Sequence, residues 1–110
     1  GMTGLNLDEA TEAGFDAVAK TITSSTAAHY YPTAEKVRVN MVAERGTGRV
    51  LGCFIVGGAG SAKRIDAAAT ALWNGMTAEQ LADVDLSYAP PFSPVWDPIS
   101  IAARVVSEAL

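Results

Sequence analysis

"VRVNMVAERGTGRVLGCFIVG", residues 37–57, decides how this chain is read. In its first eight residues Val37, Val39, Met41 and Ala43 alternate onto one side of an extended chain. A period of two is that of a strand with one face on a core. "RGTG", 45–48, then brings two glycines, which reach positive φ without a Cβ penalty, as a tight connection demands. "RVLGCFIVG", 49–57, runs on almost wholly apolar, the pattern of a strand covered on both faces. The stretch is a β-hairpin.

The flanks build on that hairpin. Upstream, "FDAVAKTITSSTA", 15–27, fits either period, and its Thr, Ser and Ile content after Lys20 favours a strand. "NLDEATEA", 6–13, is a short helix: Asn6 caps it, Glu9 completes a capping box, and Gly14 stops it. Downstream the period changes. Ser61 stands where a cap belongs, ahead of a helix whose apolar stripe is Ala62, Ile65, Ala69, Leu72 and Trp73. Lys63, Arg64, Asp66 and Thr70 fall mostly on the opposite side, and Gly75 ends it. "MTAEQLADV", 76–84, is a second short helix with Thr77 as cap and Gln80 three residues on. Asp97 caps a last helix with Pro98 at its favoured first position, and Ile99, Ala102, Val106 and Leu110 line one side. This order predicts an α+β domain: an antiparallel or mixed sheet with helices packed on one face.

Composition narrows the function. With 110 residues the chain is one domain, and 49% hydrophobic against 18% charged residues is globular composition. A mean hydropathy of +0.19 leans toward an additional buried face, hence a partner or sister domain. A net charge of −4 with scattered basic residues argues against a nucleic-acid partner. No apolar run approaches the roughly 18 residues of a membrane span, and no secretory signal opens the chain. A single cysteine, Cys53, permits no internal disulfide, and a cytoplasmic protein is expected. Gly1 ahead of Met2 reads as the remnant of a trimmed expression tag. Residues 1–2 are therefore set aside, and 3–110 are read as one domain cut from a longer chain.

Candidate chemistry is sparse. "GGAGSAK", 57–63, lies between strand and helix but lacks the third glycine of a dinucleotide fingerprint and the Gly-Lys-Ser/Thr of a phosphate loop. Cys53 sits mid-strand without a cation or helix N-terminus to activate it, so it reads as a small buried thiol. His29 is the one histidine and has no partner at metal-ligand spacing, so no metal is expected. "LSYAPPFSPVWDPIS", 86–100, is the unusual segment: four prolines, Tyr88 and Trp96, and almost no charge. Prolines at 90 and 91 forbid helix and central strand, yet the stretch is too apolar for an idle linker. Tyr88 there, and Tyr30 and Tyr31 in "AHYYP", are either structural, with ring buried and hydroxyl tied to a carbonyl, or phenols held to donate a hydrogen bond or proton to a developing anion.

The proline segment also carries a resemblance. "DLSYAPPFSPVWDPISIAA", 85–103, closely resembles the closing segment of the FAD-dependent pyridine nucleotide-disulfide oxidoreductases, in the branch of coenzyme A disulfide reductases, NADH oxidases and persulfide reductases. "AGFDAV", "HYYP", "GTGRVLGCFIVG" and "AKRIDAAATALWNGMTAEQLADVDL" fit the same C-terminal domain in the same order. The resemblance covers Leu5 to Leu110. It implies the homodimerisation domain of such an enzyme, with the FAD and NAD(P)H domains and the redox cysteine lying N-terminal to it and no cofactor bound by this domain alone. It further implies that the proline loop meets the partner subunit's active site, with Ala89 and Pro90 near the partner's flavin. Tyr88 matches the tyrosine of a Tyr-Ala-Pro-Pro motif that acts across the dimer, and either Tyr30 or Tyr31 matches a second. Ala89-Pro90 stands where the glutathione reductase branch has a His-Pro pair, so that dithiol chemistry is not expected. Cys53 matches no catalytic cysteine of the family. The alternative is a free-standing interaction module that binds a partner protein through the aromatic proline loop.

Overall fold

The hairpin anchors a four-stranded, wholly antiparallel sheet in the computed structural model, which describes residues 1–110. β1 (Met2–Gly4), β2 (Ala17–Ser25), β3 (Lys36–Glu44) and β4 (Val50–Gly57) lie in the order β1-β4-β3-β2. β2 runs beside β3 from Ala17↔Glu44 to Ser25↔Lys36 without a break in register. The β3–β4 hairpin carries a bulge between Val42 and Ala43, and its turn uses Gly46 and Gly48 at positive φ. The expected alternation is present: Val37, Val39, Met41 and Ala43 are all fully buried.

That face is covered by α2 (Ser61–Trp73), α3 (Ala78–Ala82) and α4 (Pro98–Glu108). Ile55 and Cys53 of β4 meet Ala68, Ala71, Leu81, Ile99, Ala102 and Val106 there in one core. α1 (Leu7–Glu12) lies on the other face, where Ala10 packs with Val42 and Leu51 in a smaller cluster flanked by Leu5 and Phe15. Its capping box forms as expected, with the Asn6 side chain accepting from the Glu9 N–H and the Glu9 carboxylate accepting from the Asn6 N–H. α3 closes the same box between Thr77 and Gln80. No helix is long and apolar enough to cross a membrane.

Three local expectations change. Gly60, at φ 85°, precedes α2 in place of the expected Ser61 cap. Ser61 is instead the first helical residue, and its buried hydroxyl has no hydrogen-bond partner. The face α2 buries is Ser61, Ala68 and Ala71, with Ile65 and Leu72 partly covered, while Trp73 is 91% exposed. Small side chains let the helix lie close to the sheet, and an indole at that seam would hold it off. Leu110 follows the end of α4 and is exposed rather than part of its stripe. At the start of the chain Met2 pairs with Phe54 and Gly4 with Gly52.

Candidate functional site

Two loops form the candidate site, and neither has a core of its own. The first, 26–35, connects β2 to β3 and carries His29, Tyr30 and Tyr31. Its base is closed by Thr26, whose N–H donates to the Glu35 carbonyl and whose hydroxyl accepts from the Glu35 N–H. A turn follows in which the Tyr31 N–H donates to the Ala28 carbonyl at 2.8 Å. The second loop, 86–97, is the proline segment. The Phe92 and Ser93 N–H groups both donate to the Ala89 carbonyl, which makes a tight turn around Pro90 and Pro91. Ser93 is buried and its hydroxyl donates to the Ser87 carbonyl at 3.0 Å, drawing the two ends of the turn together. The one backbone hydrogen bond between the loops runs from the Ala28 N–H to the Pro90 carbonyl. Proline lacks a donor but keeps its acceptor, and here the acceptor is what is used.

This arrangement separates the three tyrosines. Tyr30 is 65% exposed and Tyr88 48%, so the buried, carbonyl-tied reading does not describe them. The nearby Tyr88 side chain raises the Tyr30 pKa above the usual phenol value, with desolvation and the repulsion of two phenolates adding to the effect. Tyr31 is only partly exposed, its ring tilted 6.4 Å from that of Tyr30. His29 meets the Tyr30 ring edge-on at 5.6 Å. Ala89 and Pro90 are half-buried beneath Tyr88 in the chain, while Phe92, Val95 and Trp96 project into solvent, Trp96 under the Arg104 guanidinium.

Sequence reading missed the group that joins these loops to the helices. Arg64, expected on the solvent side of α2, has a side chain only 8% exposed. Its Nε donates to Asp97 Oδ2 at 3.0 Å, and its Nη2 donates to the Phe92 carbonyl at 2.9 Å and the Thr26 carbonyl at 3.3 Å. Asp97 Oδ1 meanwhile accepts from the Ile99 N–H, the expected cap of α4. The cap was visible in the Asp-Pro pair. Nothing local marks an arginine whose partner lies 33 residues away.

The remaining candidates are not brought to the site. Cys53 is fully buried in β4, and burial pushes its thiol up to about 12. No three His, Cys, Asp or Glu side chains cluster as metal ligands. The glycine loop at 57–60 does not fit a dinucleotide. A Cβ on Gly58 would lie 2.5 Å from the Glu35 carboxylate, so the backbone there faces an anion that would repel a pyrophosphate.

Comparison with known proteins agrees with this architecture. Residues 1–98 match the model of the pyridine nucleotide-disulphide oxidoreductase dimerisation domain. The chain is 42% identical over 106 residues, 96% of its length, to 24% of an NAD(P)H sulfur oxidoreductase (CoA-dependent) of Pyrococcus furiosus. It is 43% identical over 79 residues, 72% of its length, to 17% of an NADH oxidase of Methanocaldococcus jannaschii. Among solved structures, an NAD-dependent persulfide reductase from A. fulgidus superposes with a TM-score of 0.90 at 43% identity, over 98% of this chain and 20% of that one. The chain thus spans about a quarter or less of the length of the curated relatives it matches.

Proposed function

Because this chain belongs to the family of pyridine nucleotide-disulphide oxidoreductase dimerisation domains, we propose that it pairs two copies of a larger FAD- and NAD(P)H-dependent reductase and lends Tyr30 and Tyr88 to the partner subunit's active site. The observation that carries this reading is that two exposed phenols stand on two loops tied together by the Ala28–Pro90 hydrogen bond and by Arg64. FAD and NAD(P)H, held elsewhere in the enzyme, supply the electrons. What this domain's residues supply is a proton and a hydrogen bond. When an S–S bond of a disulfide or persulfide is reduced, a thiolate leaves, and a positioned phenol stabilises it or protonates it. Tyr30 and Tyr88 are the two phenols offered for that role. Ala89 and Pro90 form the uncharged shoulder facing the partner's flavin, where a charged residue would be buried unpaired.

Tyr88→Phe in the full-length enzyme tests the assignment. The disulfide or persulfide half-reaction should slow at least about tenfold, while reduction of the flavin by NAD(P)H keeps its rate. Equal turnover by the variant removes Tyr88 from the chemistry. The exposed Phe92, Val95 and Trp96 favour a second reading, a module that binds an unrelated protein; it predicts a chain that stays monomeric and needs no second copy.

A further inference from the structure

We propose that Arg64, oriented by Asp97, is the positioning residue that holds the loop of Tyr30 against the loop of Tyr88. Its catalytic consequence rests on the function proposed above; its geometry does not. Tyr30 follows Thr26 by four residues and Tyr88 precedes Phe92 by four, and the carbonyls of Thr26 and Phe92 are the two that Arg64 Nη2 holds. One guanidinium nitrogen thus ties the base of the first loop to the far side of the second. Apart from it, a single backbone hydrogen bond, from Ala28 to Pro90, joins them. The guanidinium cannot drift, because both of its supports are rigid. Its stem rises from α2, and Asp97 is fixed by its own cap bond to α4.

Stability alone does not account for this group. A buried ion pair with side chains 8% and 10% exposed repays its desolvation only in part, and apolar residues of equal volume are often as stable or more so. What an apolar pair cannot do is present several donors in one plane to a carboxylate and two carbonyls. A lysine cannot do it either: its ammonium is a point charge on a flexible stem. The arrangement is specific to arginine and directed at the loops that carry the phenols.

The test is a proton titration of the tyrosines in this chain, with ring-labelled tyrosine followed by NMR and the fold checked at each pH by the amide spectrum. Tyr88→Phe defines the full downward shift of Tyr30 when its neighbour's hydroxyl is gone, and the absence of any shift there overturns the proposal. Arg64→Lys, and separately the double variant Arg64→Met with Asp97→Asn, should reproduce at least half of that shift with the core intact. The double variant retains a capping side chain and buries no unpaired charge, so it guards against a loss of fold in the first. A folded variant of either kind in which Tyr30 titrates as in the parent chain overturns the proposal. Unfolding of both variants overturns it too, since the pair would then support the whole core rather than the loops. Turnover does not enter this readout, so a failed clamp and a failed catalytic assignment appear in different experiments.

Discussion

At the scale of single residues, this domain sets two kinds of protic group in opposite environments. The phenols of Tyr30 and Tyr88 stand in solvent, whereas the Cys53 thiol is sealed in β4. The consequence for Cys53 is a pH dependence of stability. Its thiol keeps its proton to about 12 in the folded state, against an ordinary value of 9.0. Above pH 9 the unfolded chain ionises and the folded chain does not, so the unfolded state gains. Stability is then full below the ordinary value and falls by about 1.4 kcal/mol per pH unit through the alkaline window. Urea unfolding of the parent chain and Cys53→Ala measures it. The variant should be about 1–2 kcal/mol less stable near neutrality through lost packing, and that deficit should shrink and then reverse above pH 9. A deficit constant with pH would mean that the thiol is not desolvated.

At the scale of elements, β1 depends on a close backbone approach that only glycine allows. Gly52 lies in β4 opposite Gly4, and a Cβ there would fall 2.0 Å from the Leu5 carbonyl oxygen and 2.8 Å from the Leu5 nitrogen. Both are backbone atoms and cannot swing aside. Gly52→Ala should cost about 3 kcal/mol and detach the N-terminal strand before the rest of the sheet. Hydrogen exchange reads this directly. The Leu5 N–H, which donates to the Leu51 carbonyl, and the Ile55 N–H, which donates to Gly1, should lose protection while the β2–β3 ladder keeps it. Uniform loss along all four strands would show that β1 and the hairpin fold as one unit. The helices show the complementary dependence. α1 and α3 are pinned by capping boxes of adjacent residues, whereas α4 shares its cap with the ion pair from α2.

At the scale of the whole molecule, an 11.4 kDa chain exposes Tyr30, Tyr88, Phe92, Val95 and Trp96 on its two site loops, with Trp73 exposed on α2. A stable pairing of two copies needs about 1,200–2,000 Å² of buried surface. Light scattering over a dilution series should give twice the chain mass, unchanged with concentration, if the pairing surface is complete within these residues. A mass equal to one chain at every concentration would assign the decisive contacts to the rest of the enzyme, or support the interaction-module reading.

The sequence by itself determined whatever depends on neighbours along the chain. The alternation at 37–43, the turn at 45–48 and three helix caps at Asn6, Thr77 and Asp97 are all local patterns of period, φ preference and hydrogen-bonding reach. Only the tertiary structure decided that Tyr30 is the more exposed of the two adjacent tyrosines, that α1 covers the opposite face of the sheet, that Trp73 faces solvent, and that Arg64 is buried. Each of these turns on a rotation of about one residue or a partner some thirty or more residues distant. A helix turned by 100° exchanges a buried side chain for an exposed one while its composition and period stay the same. What settles the turn is the fit of Ala68 and Ala71 against the sheet and the reach of one guanidinium to Asp97.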